Sequence, residues 1–196
     1  MFKRLFDITC SIVILSLTSP LLALIGLLIR LDSPGPALYR SPRVGRGGKH
    51  FGMLRFRTME DIQLPPRSNH RLRETRVGHV IRNYSVDDLL NLWNVLQGDM
   101  SIVGPRPTEP HIVEQNPEWR RILSVRPGWV GNAGLSLASS FNSSSPSLKR
   151  QLELEYVENH SLALDLCLMR RAICGYFTSR GNIKARGKPR IKVEHL

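Results

Sequence analysis

From Ile8 to Ile29 the chain carries no charged side chain. In a helix rising about 1.5 Å per residue, such a run just reaches across a hydrocarbon core of about 30 Å. Downstream the pattern breaks into short pieces. Ala37–Arg40 and Phe51–Arg57 read as strands, and Gly45-Arg-Gly-Gly48 between them reads as a turn, so a β-hairpin is predicted. Leu89, Leu92, Trp93 and Leu96 recur at helical spacing. That predicts a helix of about three turns starting near Val86, with Gly98 at its end. Residues 60–70 read as an exposed loop, Ser136–Ser147 as a serine-rich loop, and Leu148–Phe177 as helix with one apolar face. No unit repeats along the chain, which excludes a solenoid. The expected fold class is α+β, predominantly helical, with a short hairpin.

The apolar run admits three readings. A signal peptide is excluded, because the run is too long and no small-x-small cleavage site follows it. A simple spanning helix satisfies length alone. Pro20 sits mid-run, where it removes a backbone donor and crowds the Ser16 carbonyl, and Thr18 and Ser19 can offer hydroxyls to the freed carbonyls. Charge then decides. Lys3 and Arg4 precede the run, while Arg30, Arg40, Arg43, Arg46, Lys49, Arg55 and Arg57 follow it. Basic flanks belong on the cytoplasmic side, and here both flanks are basic. The chain is therefore read as a re-entrant anchoring helix at 1–30, broken at Ser19-Pro20. A cytoplasmic domain at 31–196 follows, with a basic tail.

Composition narrows the partners. In 196 residues, 28 Lys and Arg stand against 16 Asp and Glu, a formal charge of +12. An anionic partner follows: acidic lipid, a phosphorylated substrate, or nucleic acid. No nucleic-acid reader motif or aromatic stacking pattern accompanies the charge, so nucleic acid is set aside. Cys10, Cys167 and Cys174 lack CxxC spacing, which fits a reducing compartment. The histidines form no zinc pattern.

The stretch from Arg82 to Pro107 holds the candidate chemistry. Ser85 is placed to cap the predicted helix, with Asp87 and Asp88 in its first turn. Ser-x-x-acid before an apolar run is a capping signature, and spacing alone favours Asp88 as a cap residue. The same helix terminus would lower a carboxylate's pKa and keep it ionised, as a nucleophile or a metal ligand requires. Neighbours on a helix point about 100° apart, so two acids can divide the work of attack and of Mg²⁺ binding. Arg106 is fixed between Pro105 and Pro107, and Arg126 precedes Pro127-Gly128. A rigidly presented guanidinium fork matches phosphate oxygens.

On these residues the chain resembles the bacterial sugar transferases, the small monotopic phosphoglycosyl transferases. The resemblance covers nearly the whole chain. It includes Lys3-Arg4-Leu5-Phe6-Asp7, Ser19-Pro20, Arg43-Val-Gly45, and Arg55-Phe-Arg-Thr-Met59. It continues through Ser85-Val-Asp-Asp88, Asn94-Val-Leu-Gln-Gly-Asp-Met-Ser101, Val103-Gly-Pro-Arg-Pro107, Arg126-Pro-Gly128, Tyr156-Val-Glu-Asn159 and Ser161-Leu-Ala-Leu-Asp-Leu166.

The resemblance implies transfer of a phosphosugar from a nucleotide sugar, usually a UDP-sugar, to polyprenyl phosphate, with release of UMP. The reaction would use Mg²⁺ and a covalent aspartyl-phosphosugar intermediate, at the cytoplasmic face of a bacterial inner membrane. Asp87 would be the nucleophile and Asp88 would position Mg²⁺. Arg82 and Arg106 would bind phosphate, Lys3 and Arg4 would sit at the lipid headgroups, and Ser19-Pro20 would mark the re-entrant break. Association into homo-oligomers is left open.

Two departures stand out. The family normally carries Asp-Glu where this chain has Asp87-Asp88. Losing one methylene shortens the second carboxylate by roughly 1 Å, against a metal that demands ligands near 2.1 Å. After Arg126-Pro-Gly128 the family typically continues Ile-Thr-Gly-x-x-Gln-Val-x-Gly-Arg, whereas this chain reads Trp129-Val-Gly-Asn-Ala-Gly-Leu-Ser136. These departures motivate an alternative: a catalytically impaired member acting as a membrane-bound partner or regulator of glycan assembly.

Overall fold

The computed structural model describes residues 2–59, 74–84, 86–137, 140–141 and 143–182, with side chains as far as Gly175. The loop expected at 60–70, the cap expected at Ser85 and the basic tail beyond Asn182 lie outside the described residues.

The apolar run forms one helix, α1 (Phe2–Asp32), long and apolar enough to cross a membrane. It stays helical through Pro20, where a break was expected. The physical reason is local. Pro20 cannot bond the Ser16 carbonyl, and the Ser19 hydroxyl donates to that carbonyl at 2.9 Å instead. The Thr18 hydroxyl donates to Ile14 O at 2.7 Å. Such back-bonding satisfies the carbonyls and bends a helix without ending it.

Both halves of α1 dock on the rest of the protein. Near the start, buried Asp7 accepts the Ser101 hydroxyl at 2.8 Å and the Ile102 N–H at 3.1 Å. Toward the far end, Ile25 and Ile29 pack with Phe56 and Ile81. Between them Val13, Leu17, Leu21, Leu24 and Leu28 are exposed.

The predicted hairpin is present and longer than expected. β1 (Leu38–Val44) and β2 (His50–Phe56) pair antiparallel, Leu38 opposite Phe56 and Val44 opposite His50. The turn passes through Gly47 and Gly48 at φ 68° and 82°, a left-handed conformation that glycine adopts without steric cost. Helix α2 (Arg76–Asn83) is capped by Thr75, whose hydroxyl accepts the Gly78 N–H at 2.9 Å. The helix predicted from Val86 divides into a 3₁₀ turn, Val86–Leu90, and α3 (Asn91–Gln97), which ends at Gly98 with φ 92° as anticipated.

A second sheet was not expected. β3 (Ser101–Val103) pairs in parallel with β4 (Gly128–Val130). Between them run the short helices α4 (Pro110–Glu114) and α5 (Trp119–Ile122), and after them comes α6 (Asn132–Leu137). The helix expected over Leu148–Phe177 is two helices, α7 (Pro146–Asn159) and α8 (Leu162–Asn182). The interruption has a cause: the Ser161 hydroxyl accepts the Leu164 N–H at 3.2 Å and starts a new helix there. Phe51, Met53, Leu92, Val95, Met100, Ile102, Val103, Tyr156 and Leu168 form the main core, against which Cys10, Ile14 and Leu15 of α1 pack.

Candidate active site

The acid pair sits in the 3₁₀ turn between α2 and α3, against strand β2. Along β2 alternate side chains share a face. Met53 and Arg55 therefore point together into a cleft of about 400 Å³ that Asp88, Arg106 and Glu153 also line. Arg55 donates through Nε to Asp88 Oδ1 at 3.1 Å, and its terminal nitrogen pairs with the same oxygen. That nitrogen lies 4.0 Å from Asp87 Oδ2. Asn91 Nδ2 adds a long contact to Asp88 Oδ1 at 3.4 Å. One arginine thus fixes both carboxylates, a role that the sequence reading did not give it.

The two acids differ in environment. The Asp87 side chain is 13 % exposed and that of Asp88 37 %. Burial raises the Asp87 pKa above the ordinary carboxylate value, and the like charge of Asp88 raises it further. Arg55, the turn's own backbone and Arg82 pull the other way without cancelling the rise. The lowered pKa expected of a helix-terminal acid is therefore not what this site shows. Desolvation outweighs the dipole of a short 3₁₀ turn.

Of the arginines expected at phosphate, Arg106 lines the cleft. Its guanidinium lies 5.2 Å from the Phe141 ring centroid, and Lys149 approaches that ring at 4.5 Å. The Pro-Arg turns nest because two glycines let backbone meet backbone. A Cβ on Gly128 would fall 2.0 Å from Gly104 N, and one on Gly104 would fall 2.5 Å from Arg126 O. Arg126 itself turns away from the cleft and donates to Gly98 O at 2.8 Å, at the carbonyl end of α3. Arg82 lies on the outer side, 3.5 Å from Glu74, near enough to Asp87 to act on its charge.

Lys3 and Arg4, expected at lipid headgroups, are bonded within the protein. Arg4 donates to Val95 O at 2.6 Å and Leu96 O at 3.0 Å. Lys3 pairs with Asp165 and donates to Val103 O at 3.1 Å. Tyr156 donates to Asp165 at 2.7 Å, and burial together with that carboxylate raises its phenol pKa.

Glu153 is the other residue the sequence reading missed. It is 2 % exposed, its Oε1 accepts the Arg106 N–H at 3.3 Å, and its Oε2 has no partner among the described residues. Burial pushes its carboxyl up to about 7, against the opposing pull of the Arg106 and Ala133 backbone N–H groups. Its position on the inner face of α7 carries no local signal in the sequence.

Arg43, Arg55, Arg106, Lys149 and Arg150 line the cleft against Asp88, Glu109 and Glu153. The surplus of positive charge suits a diphosphate. No group of three or more metal-ligating side chains occurs among the described residues. Mg²⁺ commonly takes one or two carboxylates and completes its shell with substrate phosphates and water. Asp88 fits that pattern through Oδ2, which carries no hydrogen bond to the described residues, since Arg55 and Asn91 both engage Oδ1.

The site is a basic cleft beside a paired-acid turn, in a chain whose first helix is long and apolar enough to cross a membrane. The family model for bacterial sugar transferases matches residues 1–179, and the chain belongs to that family. It is 34 % identical over 189 residues to a UDP-glucose:undecaprenyl-phosphate glucose-1-phosphate transferase of Caulobacter vibrioides, covering 90 % of this chain and 70 % of that protein. It is also 34 % identical over 187 residues to a UDP-N-acetylgalactosamine-undecaprenyl-phosphate N-acetylgalactosaminephosphotransferase of Aeromonas hydrophila, covering 91 % of this chain but only 44 % of that protein. An exopolysaccharide production protein of Rhizobium meliloti is 34 % identical over 206 residues, with 93 % of this chain and 88 % of that protein covered.

Proposed function

We propose that the protein transfers a sugar phosphate from a UDP-sugar to undecaprenyl phosphate at the cytoplasmic face of a bacterial inner membrane. The observation that carries this reading is the Asp87–Asp88 pair, held by Arg55 beside a cleft with surplus positive charge. The names of the relatives supply the substrate class. Glucose and N-acetylgalactosamine transferases match at the same identity, so likeness does not select the sugar.

In the proposed reaction an Asp87 carboxylate oxygen attacks the sugar-bearing phosphorus. The bond to the neighbouring phosphate oxygen breaks, and UMP leaves with that electron pair. An oxygen of the lipid phosphate then attacks the same phosphorus, the Asp87–phosphorus bond breaks, and the carboxylate is regenerated. Burial raises the pKa of Asp87, which makes its carboxylate more nucleophilic than an ordinary one. Arg106, Lys149 and Arg150 bind diphosphate oxygens, and Arg55 keeps both acids in place. Mg²⁺ held by Asp88 and the donor's phosphates would neutralise charge on the departing nucleotide.

Re-entry of α1 is supported by its docking. Residues 4–7 and 25–29 pack on the same globular body. A straight crossing would have to draw that body into the lipid.

The test is transfer of label from UDP-sugars to undecaprenyl phosphate, with intact-mass analysis after brief exposure to the donor alone. A sugar-phosphate adduct on Asp87 and labelled lipid are expected. Neither appearing with a broad sugar panel would falsify the reading.

A further inference from the structure

The cations that line the cleft are not alike. Arg43 pairs with Glu109, Arg55 holds the acid pair, and Arg150 donates to Glu118 at 3.1 Å and to Asn116 at 3.3 Å. Arg106 and Lys149 make no ion pair among the described residues, and both lie against the Phe141 ring. These two are the cations left for a ligand's anion. No side-chain hydrogen bond to the described residues aims the Arg106 guanidinium, so its direction is set by that ring and by its own backbone.

The backbone of Arg106 is held from α7. Buried Glu153 accepts the Arg106 N–H at 3.3 Å through Oε1, and the Ala133 N–H stabilises the same carboxylate. A Cβ on Gly131 would stand 3.1 Å from Oε1 and 3.5 Å from Arg106 N, so glycine there leaves room for the carboxylate to reach the turn. Lys149 lies four residues before Glu153, on the same face of α7. One helix face therefore carries both the acceptor for the Arg106 backbone and the second free cation. Cohesion alone does not account for a carboxyl at this place, because burying one costs more than two backbone N–H bonds return.

We propose that Glu153 is a positioning residue for phosphate binding: by tying the Arg106 backbone to α7 it sets the guanidinium beside Lys149, so that both meet oxygens of one diphosphate. The proposal rests on the transferase reading, which supplies the diphosphate, and deepens it by naming what aims the arginine. Glu153 itself touches no substrate in this scheme and acts through Arg106. Pro105 and Pro107 stiffen the turn on either side of that residue, while the carboxylate fixes where the stiff turn sits.

The test is calorimetric binding of inorganic pyrophosphate to the full-length protein in nanodiscs, with thermal unfolding of every variant. Glu153→Leu fills a similar volume without an acceptor and should raise the pyrophosphate Kd about tenfold. Glu153→Gln keeps the accepting oxygen and should recover most of the affinity. In an Arg106→Ala background the backbone N–H remains but the guanidinium is gone. There Glu153→Leu should again lower Tm yet leave Kd unchanged, since the side chain it aims is absent. Glu153→Asp draws the acceptor back by one methylene and carries the same comparison where Glu153→Leu does not fold. Equal loss of affinity in both backgrounds would make Glu153 an ordinary structural residue and overturns the proposal. A parental Kd in Glu153→Leu or, in its place, Glu153→Asp overturns it too. Binding needs no turnover, so a protein that shows this coupling but transfers no sugar phosphate would sink the transferase reading alone.

Discussion

Arg55 and Asp88 form a two-point contact in which one carboxylate oxygen receives both the Nε and a terminal nitrogen of the guanidinium. This leaves the other oxygen of Asp88 open and sets the same guanidinium 4.0 Å from Asp87. The pairing accounts for how two adjacent acids tolerate each other in a half-buried turn. It also divides them, because Asp88 takes the ion pair while Asp87 keeps most of the desolvation.

Asp87→Asn should abolish the covalent adduct, because an amide lacks the anionic oxygen needed to attack phosphorus. Asp88→Asn should still form adduct, more slowly and with weaker dependence on Mg²⁺. Intact-mass spectra against time and metal concentration check both. Full turnover by Asp87→Asn would reverse the assignment of roles.

Arg55→Gln should move the acidic limb of the pH–rate profile upward. The sign follows from the causes: burial and Asp88 raise the Asp87 pKa, and Arg55 is the largest influence lowering it. Without Arg55, Asp87 holds its proton to higher pH, and the rate falls sooner on acidification. A limb that stays in place, or moves down, would show that Asp87 is not the group being titrated.

Glu153→Gln should stabilise the protein above neutrality. A carboxyl at about 7 in the fold, against an ordinary value of 4.5, binds more protons folded than unfolded between those limits. Its favourable contribution is present below 4.5 and is lost as pH rises through 7. The loss is on the order of 3 kcal/mol. Glutamine keeps the oxygen that accepts the Arg106 N–H and removes the titration. Thermal unfolding at pH 6 and pH 8 should show a smaller drop for the variant than for the parent protein.

Arg106→Lys and Arg126→Lys should separate binding from folding. The first replaces a fork in the basic cleft with a point charge and should raise KM for the nucleotide sugar about tenfold or more. The second loses the Nε contact to Gly98 O and should cost about 1 kcal/mol of stability, with KM little changed. Denaturant titration beside initial-rate kinetics distinguishes them.

The legible parts of the chain were those that local chemistry determines. Two strand-like segments flanking the Gly45–Gly48 turn marked the hairpin, and Gly98 marked the end of α3. The three-residue pair β3–β4 was not legible. It forms because Gly104 and Gly128 allow a close backbone approach between segments far apart in sequence. Asp87, Asp88 and Arg106 stood out through capping and proline context. Arg55 and Glu153 did not, since each meets the site only through tertiary packing, from a strand and from a later helix. At Pro20 the sequence shows the missing donor, and the structure adds that the Ser19 hydroxyl takes up the Ser16 carbonyl and keeps α1 helical there.

The knot of Lys3, Tyr156 and Asp165 joins the first turn of α1 to α7 and α8. Residues more than 150 positions apart in sequence must therefore meet before α1 is fastened to the rest of the fold. With that contact made, the start of α1 is fixed to the body that carries Asp87 and Asp88, so the helix and the acid pair cannot move independently.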